Sequence, residues 1–137
     1  LAREYLRAAG VLHKSGHYVS HSAHHKHSYY LIRNGGLLGF TETEVEVIGN
    51  IARYHRKSQP KRRHENYNSL PSKHERKLVD QLSAILRLAV ALDRARNQAI
   101  ASVHATFDNS SRTLQLHLTP NDPHNSCELE LWKLDYK

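Results

Sequence analysis

Apolar positions along the first hundred residues recur at helical spacing. Tyr5, Ala8, Ala9, Leu12 and His13 fall at i, i+3, i+4, i+7 and i+8, which predicts a helix over 2–14 closed by Gly16. A second helix is expected over 22–34, with Ser22 as its N-cap and Gly35-Gly36 as its stop. Thr41-Glu42-Thr43-Glu44 has the form of a capping box, in which hydroxyl and carboxylate each accept from the other residue's backbone N–H. Val45, Ile48, Ile51, Ala52 and His55 then mark a buried face that ends near Lys57, because Pro60 cannot lie inside a helix. Residues 58–71 are polar and read as a loop. A second capping box, Ser72-Lys73-His74-Glu75, opens the strongest helix, running to about residue 97. Leu78, Val79, Leu82, Ile85, Leu86, Ala89 and Leu92 share one face of it, and Leu78, Leu82, Ile85, Ala89 and Leu92 are expected in the core with Ile48, Ile51 and Ala52.

After residue 100 the period changes to two. Val103, Ala105 and Phe107 alternate with polar residues, as do Leu114, Leu116 and Leu118, and then Cys127, Leu129 and Leu131. Asp108-Asn109-Ser110 and Pro120-Asn121-Asp122-Pro123 supply turn residues between them. The pattern predicts a mainly α chain of the α+β class: a helical body over 1–100 followed by a small three-stranded antiparallel β element, a meander, over 101–137.

Composition narrows the class. The 137 residues are 39% apolar, enough for one core, and no apolar run approaches the ~20 residues of a membrane span. Leu1-Ala2-Arg3-Glu4 opens no signal peptide, and the single Cys127 excludes an internal disulfide, so a reducing, cytoplasmic location is expected. The absence of methionine suggests a piece of a longer protein.

Charge points to a partner. Residues 1–64 carry eleven Lys/Arg against four acids, whereas residues 101–137 carry three against five. No acid lies between Val47 and His64, a stretch holding Arg53, Arg56, Lys57, Lys61, Arg62 and Arg63. A one-sided field of this kind fits a polyanion: polyphosphate, a nucleotide or nucleic acid.

Five of the twelve histidines fall between His17 and His27. His13/His17, His17/His21 and His21/His25 are each four apart, but Gly16 and Ser20 interrupt any single helix through them. No Asp or Glu lies between Tyr5 and Thr41 to orient imidazoles from behind. No metal site is therefore expected. His13 reads as a hydrogen-bonded member of the core, a reading also open to His55. His21, His24, His25, Lys26 and His27 stand at a helix start, where backbone N–H groups and the dipole favour an anion, and read as a phosphate-binding patch.

Three blocks carry a family resemblance. His21-Ser22-Ala23-His24-His25-Lys26-His27-Ser28-Tyr29-Tyr30-Leu31-Ile32, Ile51-Ala52-Arg53-Tyr54-His55-Arg56 and Leu86-Arg87-Leu88-Ala89-Val90-Ala91-Leu92-Asp93-Arg94 resemble, in order and spacing, the C-terminal HD-like helical domain of the Ppx/GppA family of exopolyphosphatases and guanosine pentaphosphate phosphatases. The resemblance implies a degenerate HD-type bundle. Lys14 stands where an HD enzyme has the aspartate of its His-Asp pair, and Val90 where a later aspartate ligand belongs. It further implies a longer parent, whose N-terminal actin-like domain holds the catalytic groups and Mg²⁺. The present domain would contain no catalytic residue and no cofactor of its own. It would lengthen the polyphosphate channel and assist homodimerisation. On this reading the phosphate-binding residues are His21, His24, His25, Lys26 and His27 with Arg53, Arg56, Lys57, Lys61, Arg62 and Arg63. Two alternatives are an HD-type metal-dependent nucleotide phosphohydrolase and a basic nucleic-acid-binding module, the latter compatible with Tyr29, Tyr30, Tyr54 and Tyr67 but without a recognised motif.

Overall fold

A computed structural model describes residues 1–56 and 58–134. Its elements run α1 (Ala2–Leu12), a 3₁₀ turn (Ser15–Tyr18), α2 (His24–Asn34), α3 (Glu42–Arg53), α4 (Glu65–Asn68), α5 (Lys73–Leu92), β1 (Ile100–Asp108), β2 (Thr113–Pro120) and α6 (Glu128–Leu134). The described residues are thus mainly helical, with six α-helices and one two-stranded antiparallel hairpin. The chain forms two compact units, Leu1–Arg87 and the remainder from Leu88.

In the first unit α3 is the central helix. Its buried residues include Val45, Val47, Ile48, Ile51 and Ala52, against Tyr5 and Ala9 of α1 and Ile32 of α2. α5 buries Val79, Leu82, Ser83, Leu86 and Arg87. This corrects the expected face: Leu82 is in the core, but Ile85 is 49% exposed and Ala89 is exposed too. Val79, Leu82 and Leu86 of the expected face are buried, and Ser83 beside them is buried as well, its hydroxyl 3.4 Å from the Asp80 carbonyl.

Polar bonds fix how the helices meet. Tyr5 Oη donates to Glu44 at 2.7 Å, and Glu44 closes the capping box with Thr41 as expected. Arg33 joins α2 to α3 through Glu42 at 2.8 Å and Glu46 at 2.5 Å. At the start of α5 the Ser72 hydroxyl accepts from His74 N–H at 3.0 Å and donates to Glu75. The loop expected over 58–71 contains α4, held by Asn66 Nδ2 donating to Asn50 Oδ1 at 2.5 Å and by Tyr67 Oη donating to Asp80 at 2.9 Å.

The link from α1 to α2 is tight. The Ser28 hydroxyl accepts from Gly16 N–H at 2.9 Å and donates to the His13 carbonyl at 2.7 Å. A Cβ at Gly16 would overlap the His24 carbonyl and the Ser28 backbone. Here α2 starts two residues later than expected. Ser22 is exposed and does not cap it; Ala23 does so in the left-handed region, at φ 53°, and no side-chain cap bond forms. The sharp reversal from the 3₁₀ turn into α2 demands that conformation.

In the second unit β1 and β2 pair with Val103 opposite Leu118, Ala105 opposite Leu116 and Phe107 opposite Leu114. The apolar residues therefore share one face, as the alternation predicted. The expected third strand is absent among the described residues, because Cys127, Leu129 and Leu131 belong to α6 and its N-terminal edge. Glu, Leu and Lys are strong helix formers, and three alternating apolar positions are too few to override them. Ala99, Cys127 and Glu130 are buried in this unit.

Candidate functional site

The first unit encloses a cavity of about 640 Å³ where the start of α2 meets the end of α3. His21, Ser22, Ala23, His25 and Lys26 form one wall. Arg53, Tyr54, Arg56, Ser58 and His64 form the other. Sequence positions thirty apart converge because α2 packs along α3 and places its N-terminus beside the α3 C-terminus.

Among the described residues, no carboxylate lines it. Arg53 lies over the Tyr29 ring, 5.5 Å from its centroid, so a cation–π contact orients it. His64 stacks on Tyr54 with ring centroids 5.7 Å apart, and its Nδ1 is 2.8 Å from the Tyr54 hydroxyl. That hydroxyl also accepts from Asn66 Nδ2 at 3.2 Å. The network explains why α4 matters: it brings His64 to the cavity.

Behind the α2 wall lies a train of imidazoles. His21 and His17 rings are 5.2 Å apart, His17 stacks on His24 at 3.8 Å, His24 lies 5.3 Å from His55, and His55 meets His13 edge-on at 4.8 Å. His13 and His55 each place Nδ1 2.6 Å from the carbonyl of the residue three before, Gly10 and Ala52. His55 is 2% exposed, as a core histidine should be.

Burial and neighbouring positive charge lower four of the imidazoles, His24, His25, His55 and His64. Desolvation, helped by His17 and Arg56, lowers His24 to about 4. Desolvation, then Arg56 and Arg53, lowers His25 to about 4. Desolvation lowers His55 to about 3, its bond to the Ala52 carbonyl opposing the shift only in part. His64 is lowered by desolvation and then by Arg53. The ring atoms His24 Nδ1 and His25 Nδ1 are buried without a hydrogen-bond partner.

The structure thus brings His21, His25 and Lys26 together with Arg53 and Arg56. It places His24 behind the wall and leaves His27 off the lining. Lys61 and Arg63 are exposed elsewhere, and Arg62 lines a separate cavity with Tyr67, Asp80 and Arg87. Lys57 lies outside the described residues. Ser22, Ala23, Ser58 and His64 also line it and were not expected there, and Tyr54 was expected only under the nucleic-acid alternative; the place of His64 at the end of the acid-free stretch was the one signal for it.

Among the described residues, no group of three or more His, Cys, Asp or Glu is arranged to hold a metal ion. Mg²⁺ takes oxygen ligands, so a cavity of imidazoles and cations does not fit it. No helix among the described residues is long and apolar enough to cross a membrane.

Comparison with known proteins bears on the family alone. Residues 2–137 match the family model for the Ppx/GppA phosphatase, domain III. The chain is 30% identical over 131 residues to a guanosine-5'-triphosphate,3'-diphosphate pyrophosphatase of Vibrio atlanticus, which covers 92% of this chain and 25% of that protein. Proteins of the same name from Aliivibrio fischeri, at 29% over 135 residues, and Pseudoalteromonas translucida, at 30% over 95 residues, are similar to it as well. They are covered to 25% and 18% of their length, and the chain to 92% and 69%. The chain spans about a quarter of the length of the first of these relatives. By the match along nearly its whole length, the chain belongs to the Ppx/GppA phosphatase family, of which it forms domain III.

Proposed function

We propose that this domain binds the phosphate chain of the substrate of a larger phosphatase and performs no hydrolysis itself. The observation that carries the reading is the carboxylate-free cavity walled by Lys26, Arg53 and Arg56. Three formal cations around one recess attract a chain of phosphates, and the guanidinium groups match phosphate oxygens in planar, two-pronged fashion. The recess stands at the α2 N-terminus, whose dipole adds to the attraction. Hydrolysis needs a group that activates water. Among the described residues the lining offers no carboxylate and no metal cage, and its His25 and His64 are lowered by burial and nearby arginines rather than paired with an acid. The HD-like ancestry of the bundle is part of the same proposal: Lys14 and Val90 replace carboxylates that a metal would need.

The parent enzyme, on this reading, removes terminal phosphate in another domain that holds Mg²⁺, while domain III extends the path of the chain. Both polyphosphate and guanosine pentaphosphate present the required phosphates. Titration of each into the chain at fixed salt separates them. Tight binding of either, weakened at least tenfold in the Arg53→Gln/Arg56→Gln variant, supports the reading. Equal affinities of the two proteins, or Mg²⁺-dependent turnover by this chain alone, refute it.

A further inference from the structure

The first unit holds a second recess, of about 380 Å³, between the chain around α4 and one stripe of α5. Gln59, Arg62 and Tyr67 wall it on one side, and Asp80, Ala84 and Arg87 on the other. The last three stand at i, i+4 and i+7, so they share a face of α5. A long side chain on a helix folds back over the preceding turn, which for Arg87 is the turn of Ala84. The Ala84 methyl is too short to fill the recess beside it.

Arg87 is the unusual group here. It is 8% exposed, yet among the described residues it makes no hydrogen bond and no ion pair. Its nitrogens are not among the sealed, partnerless atoms of the described residues, so its charged end is open to solvent-sized groups. Burial lowers its pKa, and no neighbouring carboxylate offsets the shift. A guanidinium keeps its charge all the same. An uncompensated charge at this depth costs stability unless a counter-charge arrives. Asp80 lines the same recess, but both its oxygens accept from the Tyr67 hydroxyl, at 2.9 and 3.0 Å.

We propose that this recess is a site for one phosphate-class oxyanion, held by Arg87 and Arg62 and separate from the α2–α3 cavity. It goes beyond the proposed function and does not depend on it. A carboxylate has two oxygens and is filled by one guanidinium fork, whereas a phosphate has oxygens left for a second. The Gln59 amide supplies a further donor. Asp80 sets the limit on the occupant. Two cations against one carboxylate leave a single positive charge, which suits one small anion and not a chain. The α2–α3 lining, with no carboxylate among the described residues, has no such limit.

The test is titration of the chain with orthophosphate against chloride of equal ionic strength, read at the Arg87 Nε–Hε resonance in ¹H–¹⁵N spectra. A saturable shift at Arg87 is expected. Arg62→Gln should raise the phosphate needed for half-saturation about tenfold, the loss of one charge-assisted contact. Arg87→Met removes an unpaired buried charge, so its thermal midpoint in chloride should be no lower than that of the unaltered chain. Phosphate should raise that midpoint less than it raises the unaltered one. Long-chain polyphosphate should still shift residues 21–26 in this variant. An Arg87 resonance indifferent to orthophosphate, or a midpoint rise that Arg87→Met retains in full, overturns the inference while the proposed function stands. An Arg87 shift with long-chain polyphosphate but not with orthophosphate overturns it too, and gives the recess to the path of the chain. Should Arg87→Met not fold, the Arg87 resonance and the Arg62→Gln titration decide alone.

Discussion

Single side chains decide the electrostatics of this domain. His24 and His55 are buried among other imidazoles and near Arg56, and neither has a carboxylate partner. Both are therefore held neutral, at about 4 and about 3, against about 6.5 in an unfolded chain. Between those values the unfolded state binds more protons than the folded one, so stability rises with pH there. Full stability is expected above about pH 6.5. It should fall as pH drops from there towards 4. Urea unfolding at pH 7.5, 6, 5 and 4.5 checks this; a midpoint that stays constant over the range would contradict the burial of these rings. The sequence allowed that His55 belongs to the core, because it continues the apolar face of α3. It did not show that His24 does. Two adjacent histidines at a helix start look alike in sequence, and only the packing of the 3₁₀ turn against α2 sends one inward and leaves the other on the cavity wall.

At the scale of elements, the strongly periodic helices were legible and their rotation was not. The Thr41 capping box forms as read, and α3 buries the face its spacing announced. α5 carries two adjacent apolar stripes. The spacing put Val79, Leu82 and Leu86 on one face with Ile85 and Ala89; the structure buries the first three together with Ser83 and leaves the last two exposed. A wide apolar arc leaves the choice to tertiary fit, where a small polar residue can be the better neighbour. Leu82→Ala should therefore cost about 2–5 kcal/mol. Ile85→Ala should stay within about 0.5 kcal/mol. Chemical denaturation of the two variants measures both, and a reversed order would restore the hydropathic face. α4 was missed because four residues are too short for periodicity to speak, and α6 was misread because a brief alternation fits a strand as well as a helix. The hairpin itself was clear from turn chemistry and from a period of two sustained through both strands.

For the whole molecule, charge asymmetry and sequence proximity point to different residues. The acid-free stretch from Val47 to His64 pointed to an anion, and the cavity lies beside it. Yet only part of that stretch lines the cavity: Arg53 and Arg56 do, Lys61 and Arg63 do not. If the cavity is the phosphate site, the latter cations would act on the chain only at a distance, and salt should screen them strongly, given a Debye length of about 10 Å at 0.1 M. Replacing Lys61, Arg62 and Arg63 together by Gln should weaken polyphosphate binding at low salt and change it little at 0.3 M. Arg53→Gln/Arg56→Gln should weaken it at both. Titrations at two ionic strengths decide; equal losses for the two variants at high salt would place the loop in direct contact with the chain.

The central claim is that one cavity between α2 and α3 receives a phosphate chain. The most direct test is a backbone and imidazole chemical-shift map of the chain titrated with long-chain polyphosphate at fixed pH and salt. The account predicts saturable shifts concentrated at residues 21–26, Arg53, Tyr54, Arg56, Ser58 and His64, with the β1–β2 hairpin unchanged. Shifts centred on residues 61–63 or on the hairpin, with the cavity wall silent, would contradict it.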